Sequence, residues 1–191
     1  MCCFVAYGRR DDLIFSVARR GTLMDIQICK ALPKDAFEYA ANHIACWQAA
    51  YKGIISDEYL NNMNVEQMEE NSRKILCEPS SYLCYYAEHG GRMIGRLVIC
   101  NSRDDDKVDA GEIAAMYLLD TFWGKGYGRQ MMDFSLAKLK RMGHNEVLLW
   151  VLEANNRGKQ FYEKSGFVFD GTKKEINIDK PLIEMRYIRT L

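Results

Sequence analysis

Three glycines stand at every second position in "FWGKGYGRQMM", Phe122 to Met132, and a helical pattern follows at once. Gly124, Gly126 and Gly128 would let backbone approach a bulky anion, and a helix N-terminus supplies unpaired amides and a partial positive charge. Phosphate binding is the chemistry implied, and three ligand classes use such a strand–turn–helix. A P-loop nucleotide site needs GxxxxGK[ST], which is absent. A dinucleotide site needs GxGxxG, but after Gly124 and Gly126 the third position is Arg129. The acidic residue expected at the end of the following strand is missing too, because Glu146 precedes that strand. The third class is coenzyme A, with its pyrophosphate on the amides of Gly124 to Arg129.

The surrounding pattern says what must position this loop. "MDIQICKAL" alternates as a short strand with Ile26 and Ile28 on one face, and Pro33 opens a helix running to about Tyr51. After Gly53, "SDEYLNNMNVEQMEENSRKIL" reads as a further helix with Ser56 as its N-cap. "SYLCYYAEHGGRMIGRLVIC" reads as a hairpin turning at "HGG", with Gly95 marking a bulge. "NSRDDDKVDAG" is a charged loop whose Asp cluster reads as solvated, and "EIAAMYLL" is the strand before the glycines. The next helix puts Met132, Ser135, Leu136 and Leu139 on one face and ends at Gly143. "EVLLWVL" is apolar enough to be covered on both sides. A short helix around "NNRGKQFYEKSG", a strand "FVFDG", a polar loop "TKKEINIDK" and a last strand "LIEMRYIRT" complete the chain. The order predicts an α/β (α+β) domain: one mixed, mostly antiparallel twisted sheet with helices on both faces.

"GEIAAMYLLDTFWGKGYGRQMM" and, 27 residues after Gly128, "NNRGKQFYEKSGF" together resemble the GNAT (GCN5-related N-acetyltransferase) family. The first segment is similar to the family's acetyl-CoA motif, the second to its Asn-to-Tyr helix, and "AYKGIISDEYL" to a helix–loop–helix of bacterial members. The resemblance spans 24–191 and leaves 1–23 as an N-terminal extension of unknown structure. It departs at Trp123, where the family usually carries Arg or Gln. The loop is then expected to hold pyrophosphate through backbone amides, with Lys125 and Arg129 supplying charge and Tyr127 inside the motif.

The resemblance implies direct transfer of acetyl from acetyl-CoA to a primary amine, in a small molecule or peptide, within a ternary complex. None of the seven cysteines stands where it would mark a nucleophile. Met116, Tyr117 and Leu118 match the splayed strand whose backbone meets the pantetheine and thioester oxygen; read alone they are core. Tyr162 matches the tyrosine near the sulfur, which protonates or hydrogen-bonds the leaving thiolate; its other reading is an aromatic core residue beside Phe161. Asn155 matches the asparagine at the pantetheine arm, and is otherwise a helix cap. Glu112 would be the general base if alternation sets 112, 114 and 116 on one face, with ordered water as the alternative. Trp47 and Tyr51 are candidates for the acceptor wall, or simply core.

Composition bounds the rest. The chain has 191 residues, 48% of them apolar and 27% charged, which suits a single soluble domain. Lys+Arg and Asp+Glu both number 26, so nothing electrostatic favours nucleic acid or an anionic membrane. No apolar run reaches a membrane span, the opening residues lack a signal-peptide pattern, and the scattered Cys and His suggest no metal. Cytoplasm is the expected location, and a homodimer is allowed because family members often dimerise. Two other classes stay open: a catalytically silent acyl-CoA-binding or sensor domain, and a nucleotide-binding module disfavoured by spacing.

Overall fold

A computed structural model describes residues 26–77 and 81–191; the extension at 1–23, and the first two residues of "MDIQICKAL", lie outside them. The chain runs β1 (Gln27–Lys30), α1 (Ala36–Ala50), α2 (Asp57–Asn61), α3 (Val65–Cys77), β2 (Leu83–His89), β3 (Arg92–Asn101) and β4 (Gly111–Leu118). It continues through α4 (Tyr127–Arg141), β5 (Glu146–Leu152), α5 (Asn156–Lys164), β6 (Val168–Ile178) and β7 (Lys180–Thr190). The seven strands make one sheet in the order β1-β2-β3-β4-β5-β7-β6. Within it β4 and β5 pair parallel and all other neighbours antiparallel. No helix among the described residues is long and apolar enough to cross a membrane.

Each face buries its own apolar set. Ile28, Leu97, Ile99, Ile113, Val147 and Leu149 join Tyr127, Met131, Met132 and Leu139 of α4 in the larger core. Across the sheet, Ala31, Cys84, Met93 and Val98 pack with Tyr39 of α1. The helical face expected for Met132, Ser135, Leu136 and Leu139 is buried throughout. Helix α4 is thus held by an apolar stripe, as its sequence period requires.

Three expectations change. The helix expected from Ser56 is two helices, α2 and α3. Ser56 Oγ does accept from Tyr59 N at 3.1 Å, but the chain breaks at 62–64 and Asn64 Oδ1 caps α3 through Gln67 N at 2.7 Å. The "polar loop" at 172–180 is mostly strand β6, whose alternating exposure and cross-strand pairs with β7 stabilise a half-solvated edge ribbon. Lys174 lies over the Trp150 ring at 3.8 Å and pairs with Glu184 at 3.4 Å. Polar residues on the outer side concealed its period.

The third change concerns the aspartates of the β3–β4 connection, which are not all simply solvated. Arg186 on β7, with 4% of its side chain exposed, bonds Asp104 at 3.0 Å, Asp106 at 2.7 Å and Asp170 at 2.7 Å. Asp104 Oδ2 also accepts from Trp150 Nε1 at 3.1 Å. One buried guanidinium therefore ties the connection to β5, β6 and β7.

Hydrogen bonding from Arg186 holds the Asp106 carboxyl below the usual carboxylate range. For Asp170 burial pushes upward, but hydrogen bonds from Thr172 and Arg186 outweigh it and its pKa is also lowered. Depressed carboxylate pKa values mean stabilisation that is complete above the ordinary carboxylate range and lost as pH falls through the folded-state values. Arg186→Met is expected to lower urea-unfolding stability at pH 7 by about 3 kcal/mol, because it leaves partly buried carboxylates without their cation. The difference from wild type should shrink on acidification below about pH 4.

Candidate active site

The loop begins where β4 ends. Leu119 N donates to Ile94 O at 2.8 Å, residues Asp120–Phe122 form a single 3-10 turn, and Trp123 is extended. Gly124 at φ 75° and Gly126 at φ 86° occupy the left-handed region, where a side chain would be strained. Those two turns aim the chain into α4. The first ladder bonds run from Arg129 N and Gln130 N to Gly126 O, so the helix does not use the amides ahead of them. Tyr127, 1% exposed, anchors the start of the helix against His89 and Phe122 at ring distances of 5.2 and 6.0 Å. At Gly128 a Cβ would lie 3.3 Å from the Phe161 ring, which brings α5 close against α4.

Beside the loop the sheet opens. β4 and β5 pair only at Gly111↔Val147 and Glu112↔Leu148. Beyond that, β4 stays with β3 as far as Leu118↔Gly95, whereas β5 follows β7 to Leu152↔Glu184. The result is a slot through the sheet between the later halves of β4 and β5. On the β3 side, the Tyr117 carbonyl turns toward Gly95, 2.6 Å from where a Cβ would stand. Strand alternation then turns the N–H and C=O of Met116 and Leu118 toward the slot. Leu118 O accepts from Trp123 Nε1 at 2.8 Å.

A bulge in β4 corrects the expected alternation. Val98 faces Ala115 and Ile99 faces Ile113, leaving Ala114 as an extra residue. Ile113, Met116 and Leu118 consequently share the α4–α5 face, while Ala114 and Ala115 pack with the α1 side. Glu112 is therefore on the opposite face from Met116. It is 1% exposed, at the joined end of β4 and β5, and both its carboxylate oxygens bond Arg103. Arg103 N donates to it as well, at 3.1 Å.

The α1 side of the slot is aromatic. Trp47 stacks on His43 at 5.0 Å and meets Tyr51 edge-on at 5.0 Å. Tyr117 lies 6.3 Å from Trp47 and 6.2 Å from Tyr51 by ring centroids, and the two tyrosine hydroxyls are 3.0 Å apart. Burial raises both phenols above their ordinary pKa. Behind them Arg96, the Cα partner of Tyr117, is 8% exposed and has no carboxylate partner among the described residues. Its guanidinium lies 4.3 Å from the Tyr39 ring centre and bonds His43 Nδ1, and its Nε has no partner. Burial, with the Arg96 charge second, lowers the His43 pKa to about 3 and keeps that ring neutral. Across the gap, Glu184 faces the same side as Arg186, opposite Met185 and Tyr187 in the larger core. Its charge is felt by the Tyr51 and Tyr117 hydroxyls.

On the α4–α5 side, Tyr162 packs with Phe161 and Phe167 at 5.5 and 6.2 Å. Burial, then the neighbouring Tyr117, pushes its phenol far up. Asn155 caps α5, its Oδ1 accepting from Gly158 N at 2.9 Å. Of the loop cations, Arg129 Nε bonds Asp133 at 2.8 Å, and Lys125 Nζ lies 5.2 Å from the Phe122 ring centre. Arg157, in the first turn of α5, lies over Trp123 at 4.0 Å. Three residues of this region escaped the sequence reading. Arg96 left a signal, a lone charge inside the apolar run of β3. Glu184 and Arg157 left none, because exposed-looking charges on a ribbon and a short helix are ordinary.

A sequence model described as the acetyltransferase (GNAT) family matches residues 34–167. A probable N-acetyltransferase of Mycobacterium tuberculosis is 28% identical over 149 residues, covering 77% of this chain and 82% of that protein. A mycothiol acetyltransferase of Geodermatophilus obscurus is 38% identical over 85 residues, covering 44% of this chain and 28% of that protein. Among solved structures, PaiA N-acetyltransferase from Thermoplasma acidophilum, in complex with coenzyme A, matches with a TM-score of 0.71 at 22% identity. That match covers 88% of this chain and 100% of the other, and at this identity the likeness is one of fold.

The close approach of β3 and β4 at Gly95 gives the slot its rim. Gly95→Ala sets a Cβ against backbone, which cannot swing away, and is expected to cost about 2 kcal/mol in chemical denaturation. Gly91→Ala, at φ 77° but with open space around it, should cost less, about 1 kcal/mol from backbone strain alone.

Proposed function

The chain belongs to the acetyltransferase (GNAT) family of acyltransferases, and from that membership we propose that it moves acetyl from acetyl-CoA directly to a primary amine. The observation that carries this reading is the slot between β4 and β5. Its α4–α5 side has the glycine loop and Tyr162; its other side has the aromatic wall of Trp47, Tyr51 and Tyr117. A donor and an acceptor entering from opposite faces would meet there without an intermediate on the protein.

In the reaction the amine nitrogen forms a bond to the thioester carbon, the C–S bond breaks, and one proton passes from nitrogen toward the departing sulfur. Amides ahead of the α4 ladder are suited to pyrophosphate. The N–H of Met116 or Leu118 is suited to the thioester oxygen, a type of contact worth about 3 kcal/mol elsewhere. Tyr117 N–H is not, since that peptide edge faces β3. Tyr162, its phenol raised by burial, keeps its proton and acts as a hydrogen-bond donor to the thiolate rather than as a strong acid.

Glu112 is read as structural, because Arg103 occupies both its oxygens. Two features instead favour a neutral amine. Arg96 is a buried cation behind the wall, and a positive field disfavours a second positive charge nearby. Glu184, across from Tyr117 and held only in a loose 3.4 Å pair with Lys174, is the carboxylate on this side that can take the proton, directly or through water. The acceptor is a small-molecule amine or a peptide.

Acetyl-CoA at a hundred times its Kd should stabilise the folded chain by about 2.7 kcal/mol in thermal or urea unfolding; no stabilisation would rule the reading out. Tyr162→Phe should lower kcat about 10- to 100-fold with little change in KM for acetyl-CoA. Unchanged turnover would mean that the phenol is passive. Glu112→Gln should leave the pH dependence of kcat/KM unaltered in shape, whereas loss of its acidic limb would restore Glu112 as the base.

A further inference from the structure

Position 123, where the resemblance drawn from the sequence implies an arginine or glutamine toward the pyrophosphate, is tryptophan. The cations nearest in sequence do not obviously replace that side chain. Arg129 is drawn back along α4 by Asp133 at 2.8 Å, and Lys125 lies over Phe122. A third cation comes from another element. Arg157 projects from the first turn of α5 and places its guanidinium carbon 4.0 Å from the centre of the Trp123 ring. The indole is itself fixed, because Nε1 donates to Leu118 O at 2.8 Å. Arg157 is exposed and forms no ion pair among the described residues.

We propose that Arg157 is the pyrophosphate-binding cation of this loop, with Trp123 as the platform that holds it there; this rests on the coenzyme A reading above. Stacking engages the face of a guanidinium and leaves its in-plane N–H groups free to donate. Those edges suit two phosphate oxygens at once, which a lysine ammonium cannot match in geometry. The platform sits directly before Gly124, so the guanidinium is delivered to the same place as the loop amides. With tryptophan at 123, the charge comes from a neighbouring helix. The new location adds a connection. Arg157 and Tyr162 share α5, so gripping the diphosphate also fixes the helix that carries the tyrosine at the slot.

The test is calorimetric binding of CoA, dephospho-CoA and pantetheine to the full chain and its variants. Arg157→Gln is expected to weaken CoA about tenfold, to weaken dephospho-CoA by the same factor and to leave pantetheine unaffected. Trp123→Ala should produce a comparable loss, and the double variant should bind no worse than either single one. Placing a guanidinium at position 123 itself, Trp123→Arg in the Arg157→Gln background, should restore CoA affinity to within about threefold of wild type. Unchanged thermal midpoints would confirm that the substitutions at exposed Arg157 and half-buried Trp123 leave the fold intact. CoA binding by Arg157→Gln as tight as wild type, or tighter, would overturn the proposal, the latter by making the stack a latch over the site. A loss confined to CoA and absent with dephospho-CoA would overturn it too, by moving Arg157 to the 3′-phosphate. If wild type bound no CoA, the proposal and the acetyltransferase reading would fall together.

Discussion

The parting of β4 from β5 is the constraint on which the rest of the structure depends. Two parallel strands that pair through Gly111 and Glu112 and then diverge leave backbone polar groups that the sheet cannot satisfy. The divergence is held from both sides. β4 is drawn to β3 by ladder bonds, the bulge at Ala114 and the close approach that only glycine allows at 95. β5 is drawn to β7, which in turn is braced by β6. Neither strand can close the gap without breaking a longer antiparallel pairing. The slot is therefore a rigid property of the sheet, and the helices on the two faces become its two walls.

The charges are distributed in keeping with this. Where strands must stay joined or connections must stay down, carboxylates and guanidinium groups pair: Arg103 with Glu112 at the joined end, and Arg186 with three aspartates under the β3–β4 connection. Beside the slot the pattern reverses. Arg96 is buried among Tyr39, His43 and Tyr117, all neutral, with no carboxylate among the described residues to compensate it. A buried unpaired charge is costly and so is informative about function. The same separation explains why Glu112, an acid in the right strand, is bound by Arg103 on the face away from Met116, while Glu184, paired with Lys174, directs its charge toward the tyrosine wall from across the gap.

Much of the architecture was legible in the residues. Periodicity placed α4, β5 and the hairpin β2–β3, and turn chemistry placed Ser56 and Gly95 correctly. The failures have separate physical causes. Lys173 and Lys174 read as loop because polar residues on the outer side of their hairpin with β7 hide its period, whereas the aspartates at 104 and 106 read as solvated because Arg186 lies some eighty residues on. Asn64 ended one helix and began another within a run whose composition alone looks continuously helical.

For the site, the glycine spacing disfavoured two nucleotide classes and, with the Asn-to-Tyr segment, pointed to coenzyme A, because positive φ and close backbone approach are demands that glycine meets at least cost. The family and the general chemistry were therefore written locally. What the tertiary structure decided was which face each group occupies. A single extra residue at Ala114 reverses the side of every β4 residue before it relative to those after it, and that separates Glu112 from Met116. Stacking between α5 and the loop sets Arg157 on Trp123, a contact across 34 positions of sequence. Side-chain direction and the pairing of distant charges follow from register and packing, and neither is encoded in any local stretch of the chain.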